Sequence, residues 1–341
     1  MTSPPRLSVV IPTYQRRDSL LRLLESLREQ TLPPDHFEVI AVVDGSTDGT
    51  AEAARSLPVP FRLSVLEEAN RGRGGACNAG MRSAAGAVVV LLDDDMEATP
   101  GLLAGHARAH EGGRPLGVVG AAPIEVTPDT PPFVRHIADG FRKRLARLAQ
   151  PGYQLTFRDT YTGNFSAPRE ALLAVGGFDD AVRVYGHEDY ELALRLQAAG
   201  VELAYSADAC ARQHYEKSFA AFARDGIARG RTAVLFAGKH PEIVDRIQLS
   251  QFHAQPWRWR AVRGLLLGLS RVSDRVPELV VAFIGQVERR EPVRMDKYYS
   301  LAVDYLYWYG ALGAMREQSL RGTVPPLPFA APPASREAGR Q

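Results

Sequence analysis

The chain is poor in cysteine and in long apolar runs. Cys77 and Cys210 are its two cysteines, and neither lies in a CxxC or another metal-binding spacing. A disulfide framework is therefore not expected, and a reducing compartment is the default. No stretch approaches the about 18 uninterrupted apolar residues of a spanning helix. The start, MTSPPRLSVVIP, lacks the apolar core of a signal peptide, so we expect a cytoplasmic protein.

The chain also lacks a strong net charge. It has 41 Lys and Arg against 39 Asp and Glu, a formal net charge of +2. Such a balance creates no strong field for nucleic acid, and we expect no nucleic-acid partner. Lysine occurs only at positions 143, 217, 239 and 297. The preference for arginine is compatible with phosphate recognition and equally with the nucleotide composition of the source genome.

The first 92 residues alternate between apolar runs and helical patterns. Four runs rich in Val, Ile and Leu predict buried strands: 7–11, 37–44, 61–66 and 87–92. Three segments between them predict helices: 18–30, 46–57 and 75–86. Near-continuous apolar strands joined by helices are typical of a parallel sheet covered on both faces. The expected fold class is α/β, with a mostly parallel, Rossmann-like sheet flanked by helices.

After residue 110 the pattern is mixed. It predicts a strand at 117–126 and a helix at 133–150. Residues 157–180 are predicted to form a strand, a loop, a short helix and a Gly-Gly turn, in that order. A helix at 187–200 and a strand at 201–206 follow. Helical patterns then dominate at 216–238 and 257–317. The last residues, TVPPLPFAAPPASREAGRQ, are rich in Pro and Ala and predict disorder.

Polar residues follow three of the first four predicted strands. Pro12-Thr13-Tyr14 follows the first, Asp44 ends the second, and Asp93-Asp94-Asp95 follows the fourth. Ligands bind beyond the carboxyl ends of the strands in open α/β sheets. Two carboxylates ~4 Å apart repel by roughly 1 kcal/mol in water and about 4 kcal/mol at an effective dielectric near 20. The three aspartates therefore require an offsetting cation or full hydration.

Six motifs occur in the order found in one enzyme family. They are SVVIPTYQR (8–16), VVDGSTDGT (42–50), LLDDDMEATP (91–100), GNFSAPRE (163–170), VGGFDD (175–180) and HEDYELALRL (187–196). Over residues 7–215 the chain resembles the family 2 glycosyltransferases with the GT-A fold. The resemblance implies an enzyme that moves a sugar from a nucleotide-sugar donor, a UDP-sugar for preference, to an acceptor hydroxyl with inversion.

The resemblance also implies a domain organisation. A GT-A catalytic domain covers residues 1–215, with a donor half at about 1–115 and an acceptor half at about 116–215. A helical C-terminal region follows at 216–320, and the tail predicted to be disordered covers 321–341.

The three aspartates match the family's D-x-D pattern, whose last residue contacts a metal. This maps to Asp95, while Asp94 maps to a position that faces the donor sugar or ribose. Mg²⁺ or Mn²⁺ suits oxygen ligands, offsets the repulsion between Asp93 and Asp95, and binds a diphosphate. His214 is a third candidate metal ligand, because some GT-A enzymes use a late histidine, although a lone histidine is often structural. The alternative explanation is a hydrated acidic turn whose negative charge stabilises the N-terminus of a following helix.

Further residues are expected to bind the donor. The resemblance links Asp44 to recognition of the base, where a carboxylate accepts the N3–H of uracil. The alternative is that Asp44 caps the next helix. The remaining donor candidates lie after the first strand, in or near the Gly-rich segment 71–75, or after the fourth strand: Pro12, Thr13, Tyr14, Arg16, Arg73, Asn78, Asp93 and Asp94. The pair Cys77-Asn78 departs from the family's Arg-Asn.

The motif HEDYEL supplies the expected catalytic carboxylates. In inverting relatives the Asp of this motif removes the acceptor proton, and that Asp corresponds to Asp189. The neighbouring Glu188 is expected to raise the pKa of Asp189 by repulsion. Acidic residues in the first turn of a helix are the alternative explanation. Gly163 and Asn164 are expected on the acceptor side, where small residues leave room for a sugar.

Partners and rival functions follow from the same residues. The acceptor is expected to be a saccharide, a lipid-linked saccharide or a small molecule. A sugar nucleotidyltransferase would need a Gly-rich basic loop after the first strand, where this chain has PTYQRR. A non-catalytic sugar-binding protein on a GT-A scaffold is the other rival. Residues 257–272, WRWRAVRGLLLGLSRV, are typical of an interfacial helix or of a helix packed on the catalytic domain, so a peripheral contact at the inner membrane face stays open.

Overall fold

The structure, a computed structural model, describes residues 5–179, 186–290 and 295–320. The chain divides into two compact units. The first combines Met1–Val184 with Glu188–Lys217, and the second combines Tyr185–His187 with Ser218–Gln341. The tail expected to be disordered, residues 321–341, lies outside the described residues.

The first unit is built on an eight-stranded sheet. Its strands are β1 Leu7–Thr13, β2 Phe37–Asp44, β3 Arg62–Glu68, β4 Val88–Leu92, β5 Met96–Ala98, β6 Leu116–Ala121, β7 Asn164–Pro168 and β8 Glu202–Gln213. Their spatial order is β3-β2-β1-β4-β7-β6-β8-β5. The strands from β3 to β4 pair in parallel, as expected. Beyond β4 the sheet is mixed, because β7 runs antiparallel to both β4 and β6 while β6 and β8 are parallel.

Helices flank this sheet in the first unit. They are α1 Arg17–Leu27, α2 Thr50–Ser56, α3 Gly72–Ser83, α4 Leu102–Ala109, α5 Pro132–Leu148, α6 Arg169–Ala174 and α7 Glu188–Ala198. The apolar stripe of α1 is buried at each of the positions that its helical spacing predicts: Leu20, Leu23, Leu24 and Leu27. Strands β1 and β2 are buried along their whole length, because helices cover both faces of this part of the sheet.

The close approach of α3 to the sheet positions the site. A Cβ atom on Gly80 would clash with the side chain of Val10 in β1, so only glycine permits this spacing. The amino end of α3 thereby lies beside the carboxyl end of β2, where Asp44 accepts hydrogen bonds from the first residues of the helix.

The segment around residues 157–180 differs from the expectation. The predicted strand at its start is a 3₁₀ turn, Phe157–Asp159, and the strand comes later as β7. The cause is local: Thr156 and Asp159 form a capping box in which the Thr156 amide donates to Asp159 Oδ2 at 3.0 Å. Strand β5 and helix α4 were not predicted, since three residues of strand carry no readable period.

The second unit is helical in its described part, with α8 Phe219–Lys239, α9 Trp257–Leu269, α10 Val276–Arg290 and α11 Asp296–Leu320. Gly230 and Gly310 allow α8 and α11 to touch backbone to backbone. Arg263 of α9 forms a buried ion pair with Asp304 of α11 at 2.9 Å. Within the described ranges, no helix combines the length and apolar character that crossing a bilayer requires.

Candidate active site

Two arginines offset the charge of the three aspartates that follow β4. Arg16 Nη1 lies 3.0 Å from Asp94 Oδ1 and 3.8 Å from Asp95 Oδ2. Arg73 Nη2 lies 2.7 Å from Asp93 Oδ1. The chain itself therefore supplies cations at the position where the sequence predicted that a metal or water must relieve the repulsion.

Asp94 is buried between β1 and Arg16. Thr13 Oγ1, at the end of β1, donates to Asp94 Oδ2 at 2.8 Å. Burial raises the pKa of Asp94 to about 7, although Arg16 and the Thr13 hydrogen bond favour the ionised form. Thr13 and Arg16, both expected on the donor side, thus lie against the acidic motif.

Asp95 has one oxygen that no described residue satisfies. Gln213 Nε2, at the end of β8, donates to Asp95 Oδ2 at 3.3 Å. Asp95 Oδ1 is buried, and among the described residues it has no hydrogen-bond partner. Burial and the nearby Asp93 charge raise the pKa of Asp95 above its usual range. A buried, unpaired carboxylate oxygen is costly unless a ligand satisfies it, and a hard divalent cation fits this donor.

The expected three-residue metal site is not assembled. His214 Nε2 lies 2.7 Å from Glu97 Oε2, and the Asp93 carboxylate faces Arg73. In the part of the chain that the structure describes, no group of three His, Cys, Asp or Glu side chains is placed to hold a metal. Two of the three expected ligands thus contact other side chains, and joint binding of a metal by Asp93, Asp95 and His214 stays a prediction.

Asp189 comes to the same place from helix α7. Its Oδ1 accepts a hydrogen bond from Thr162 Oγ1 and lies 3.7 Å from Arg73 Nη1. Arg73 Nη1 in turn donates to Thr162 Oγ1 at 2.9 Å. Arg73 therefore joins the aspartate motif after β4 to the acidic motif that begins α7.

The groups around Asp189 shift its pKa in opposite directions. Burial raises the pKa of Asp189, while the Arg73 charge and the Thr162 hydrogen bond lower it, and the Asp93 charge raises it further. The like charge that raises the pKa of Asp189 is that of Asp93, and an effect of Glu188, the first residue of α7, stays a prediction.

Asp44 caps a helix, but not the one that follows it in sequence. Its carboxylate oxygens accept hydrogen bonds from the backbone amides of Arg71 at 2.7 Å and Gly72 at 2.9 Å, at the start of α3. The sequence alternative named the next helix, α2. A contact between Asp44 and a nucleotide base stays a prediction.

Comparisons with known proteins decide the family. A family model described as "Glycosyl transferase family 2" matches residues 8–173, and one described as "N-terminal domain of galactosyltransferase" matches residues 142–217. Residues 8–173 belong to the family 2 glycosyltransferases. This confirms the resemblance drawn from the six motifs.

Curated relatives of the chain are named as glycosyltransferases. It is 34% identical over 226 residues to a validoxylamine A glucosyltransferase of Streptomyces hygroscopicus subsp. limoneus, covering 59% of this chain and 50% of the relative. It is 27% identical over 242 residues to the uncharacterized glycosyltransferase YfnE of Bacillus subtilis, covering 57% of this chain and 61% of YfnE. The chain spans about half the length of the first of these relatives.

Solved structures share the GT-A fold. Mannosyltransferase PcManGT from Pyrobaculum calidifontis, in complex with GDP-Man and Mn²⁺, aligns with a TM-score of 0.60 and 23% identity over 90% of this chain and 88% of that chain. TarS 1–349 of S. aureus aligns with a TM-score of 0.51 and 16% identity over 93% and 92%. The expected fold class is confirmed, with a mixed rather than mostly parallel sheet.

Two expected donor residues have structural contacts instead. Asn78 lies in α3 with its Nδ2 donating to the Phe178 carbonyl and its Oδ1 accepting from the Phe178 amide, each at 2.8 Å. Pro12 is buried inside β1 opposite Val42 of β2. Both residues are thus engaged within the fold, and donor contact by Asn78 and Pro12 stays a prediction. Tyr14, by contrast, is 50% exposed just beyond β1.

The expected acceptor residues are also buried. Asn164 Nδ2 donates to the carbonyls of Ala121 and Ala209, both at 2.9 Å, and its Oδ1 lies 2.9 Å from His106 Nε2. Asn164 is fully buried and its amide joins β7 to β6 and β8, so an acceptor contact of Asn164 stays a prediction. At Gly163 an added Cβ would lie 2.7 Å from Asp93 Oδ2, so Asp93 lies beside this glycine, and an acceptor contact at Gly163 stays a prediction.

Two residues of the site were missed in the sequence. Thr162 bonds both Arg73 and Asp189, and Gln213 bonds Asp95. Thr162 directly precedes the motif GNFSAPRE, and Gln213 directly precedes the candidate His214. Their positions beside motifs are the only sequence signal, since a lone Thr or Gln has no diagnostic spacing.

Proposed function

We propose that this chain transfers a sugar from a nucleotide sugar, a UDP-sugar, to an acceptor hydroxyl with inversion at the anomeric carbon. The observation that carries the proposal is the Arg73 guanidinium, which contacts Asp93 at 2.7 Å and lies 3.7 Å from Asp189. The two acidic motifs thereby belong to one site. Relatives named as glycosyltransferases support the same reaction class.

A divalent cation, Mg²⁺ or Mn²⁺, is proposed as the cofactor, with Asp95 as the residue that holds it. The support is the buried Oδ1 of Asp95, which has no partner among the described residues. A protein of the same fold is described in complex with GDP-Man and Mn²⁺. When bound, the cation supplies Lewis-acid stabilisation of the charge on the departing diphosphate.

The proposed base is Asp189. Its carboxylate accepts the proton of the acceptor hydroxyl while the hydroxyl oxygen forms a bond to the anomeric carbon. The bond from that carbon to the diphosphate oxygen breaks, and its electron pair leaves with the nucleoside diphosphate. Burial brings the pKa of Asp189 upward, closer to the working pH, which favours a general base. Arg73 and Thr162 orient the carboxylate and keep its ionised form accessible.

The donor is proposed to lie along the carboxyl edge of β1 and β2. Exposed Tyr14 offers an aromatic face to the base, and Asp44 is the proposed acceptor for the N3–H of uracil. Arg16 and Arg73 bring positive charge to the edge where a diphosphate with about two negative charges would bind. The acceptor is a saccharide, a lipid-linked saccharide or a small molecule with a free hydroxyl.

Calorimetry of nucleoside diphosphates tests the donor site. UDP, GDP and two further diphosphates are titrated with Mn²⁺ or with EDTA into the wild type, Asp95→Ala and a control, Asp208→Ala. Asp208 is a suitable control because it is exposed and ion-paired with Arg108, at 3.0 Å. We expect UDP to bind with Mn²⁺ only, and Asp95→Ala alone to lose binding.

Each other outcome has a defined meaning. Metal-dependent binding of GDP in place of UDP would keep the reaction and overturn the uridine assignment. Equal UDP binding by the wild type and Asp95→Ala would overturn the role of Asp95. The absence of binding by every nucleotide would favour the non-catalytic alternative.

A further inference from the structure

Helices α9 and α10 and the turn between them expose large apolar side chains to solvent. The exposed fractions are 67% for Trp257, 63% for Leu265, 48% for Leu269, 88% for Val272, 64% for Leu279 and 57% for Phe283. Exposed apolar residues that occur singly need no explanation, but a group within one short segment indicates an interaction surface.

The exposed face of α9 is separate from its packed face. Val262, Leu265 and Leu269 follow each other at helical spacing and are all more than 40% exposed. Leu266 and Leu267 point the other way and pack against the core of the second unit around Tyr305 and Leu306. Burial within the unit therefore accounts for one face of α9 and leaves the other without a partner.

Four exposed arginines flank this apolar face: Arg258, Arg260, Arg271 and Arg275. Across residues 5–179, 186–290 and 295–320, none of the four forms an ion pair. Arg258 lies over the Trp257 ring at 5.5 Å, and Arg260 donates to the His253 carbonyl at 3.3 Å. Asp274 is the only acidic residue between 257 and 275.

Some exposed arginines elsewhere in the described residues are paired with carboxylates. Arg108 binds Asp208 at 3.0 Å, and Arg114 binds Glu202. The arginines around α9 therefore combine two properties that the paired ones lack: they border an apolar face, and their charge is not neutralised by a carboxylate. An apolar face bordered by unpaired arginines is complementary to a partner with an apolar interior and an anionic surface layer.

We propose that this surface, defined as the exposed side chains of residues 257–275 together with Leu279 and Phe283, docks on a bilayer that contains anionic lipids. The leucines, Val272 and Trp257 enter the boundary of the acyl chains, and the arginines contact the headgroup phosphates. The inference goes beyond the proposed sugar transfer and does not depend on it.

Co-sedimentation with vesicles tests the proposal on the full chain. Vesicles of phosphatidylcholine alone are compared with vesicles of phosphatidylcholine and phosphatidylglycerol, at low and high salt. We expect binding to the anionic vesicles that weakens as salt is raised, because part of the affinity is electrostatic. Equal binding to both vesicle types, or none to either, would overturn the proposal.

Matched variants separate the surface from general effects. Leu265→Asp with Leu269→Asp should abolish binding, and Arg271→Gln with Arg275→Gln should weaken it by about an order of magnitude. The controls are Leu173→Asp, at a leucine of α6 that is 37% exposed, and Arg108→Gln with Arg114→Gln, which remove the same charge from paired sites. Circular dichroism checks that each variant is folded.

Two other occupants give different results. If a second copy covers the surface, light scattering detects association without vesicles, and Leu265→Asp with Leu269→Asp abolishes that association. If residues 321–341 cover it, vesicles bind only after those residues are removed. Either result would replace the bilayer as the partner.

Discussion

Arg73 Nη2 lies 2.7 Å from Asp93 Oδ1. The Nε of the same guanidinium donates to that oxygen at 2.8 Å, so two nitrogens share one carboxylate oxygen. This contact orients the guanidinium plane, which leaves Nη1 for Thr162 at 2.9 Å. The position of Arg73 therefore sets the separation between the two acidic motifs.

Arg73→Lys should lower kcat while the protein stays folded. A lysine keeps the charge but cannot hold Asp93 and Thr162 together, because its ammonium lacks the planar arrangement of nitrogens. We expect a loss on the order of 10²-fold, as for other misplaced catalytic groups. Arg108→Lys, at an exposed ion pair, is the control and should leave kcat unchanged. A wild-type rate for Arg73→Lys would show that charge alone suffices.

Asp189→Asn should strongly lower turnover and spare donor binding. The amide cannot accept the acceptor proton, and the loss of a general base costs about 10²- to 10⁴-fold in rate. Initial rates with a nucleotide sugar and calorimetry with UDP and Mn²⁺ measure the two properties separately. The control Asp139→Asn removes an exposed carboxylate of α5 that pairs with Arg142. Parallel loss of UDP binding and rate in Asp189→Asn would contradict its role as the base.

Thr162→Val should move the acid limb of the kcat profile to higher pH. The Thr162 hydroxyl donates to Asp189 and favours its ionised form, so removing it raises the pKa of Asp189. Because the ionised form is the base, activity is then lost at a higher pH as the solution is acidified. The charged groups that also act on Asp189, Arg73 and Asp93, are unchanged.

Thr160→Val is the matched control for this shift. Thr160 is buried nearby in the sequence, and its hydroxyl has no hydrogen-bond partner among the described residues. Its pH profile should coincide with that of the wild type. Coincident profiles for all three proteins would mean that Thr162 does not tune the base.

Gly163→Ala should damage catalysis more than stability. The new Cβ would lie 2.7 Å from Asp93 Oδ2, so the carboxylate must move together with the Arg73 that holds it. A displacement of about 1 Å costs on the order of 10²-fold in rate. In the control, Gly140→Ala in α5, nothing lies within 4 Å of the new Cβ, and helix stability should rise by about 0.5–1 kcal/mol. An unchanged rate for Gly163→Ala would show that Asp93 tolerates movement.

Asn164→Ala should lower the free energy of unfolding by about 3 kcal/mol. The substitution leaves the carbonyls of Ala121 and Ala209 and a ring nitrogen of His106 unsatisfied in the interior. Urea unfolding measures the loss. Asn70→Ala is the control, because Asn70 is exposed and makes one bond to the Asp44 carbonyl at 3.1 Å, so about 1 kcal/mol is expected. Equal losses would contradict a special role for the buried amide.

Much of the donor half was predictable from local patterns. The strands containing Val9, Val39 and Val90 are continuous apolar runs. Such runs predict strands, because a strand that is covered on both faces has apolar residues at successive positions. The carboxylates Asp44, Asp95 and Asp189 were identified because they follow strands or begin a helix within motifs.

The contacts of these side chains were less predictable. Asn164 and Asn78 lie in the right motifs, yet both bind backbone groups and are buried. The sequence cannot distinguish an amide that faces a ligand from one that joins two strands, because both need the same residue type beside the same strand end. Thr156 and Asp159 similarly replaced a predicted strand by a turn through a side-chain contact.

The sequence by itself determined the family, the α/β class and the edge of the sheet where the acidic residues collect, because these depend on local hydrophobic period and motif order. Only the tertiary structure decided that Arg73 joins Asp93 to Asp189 and that Asp95 keeps an unpaired oxygen. These contacts join residues far apart in the chain. Their geometry depends on how closely α3 and β7 approach the sheet, which no local pattern records.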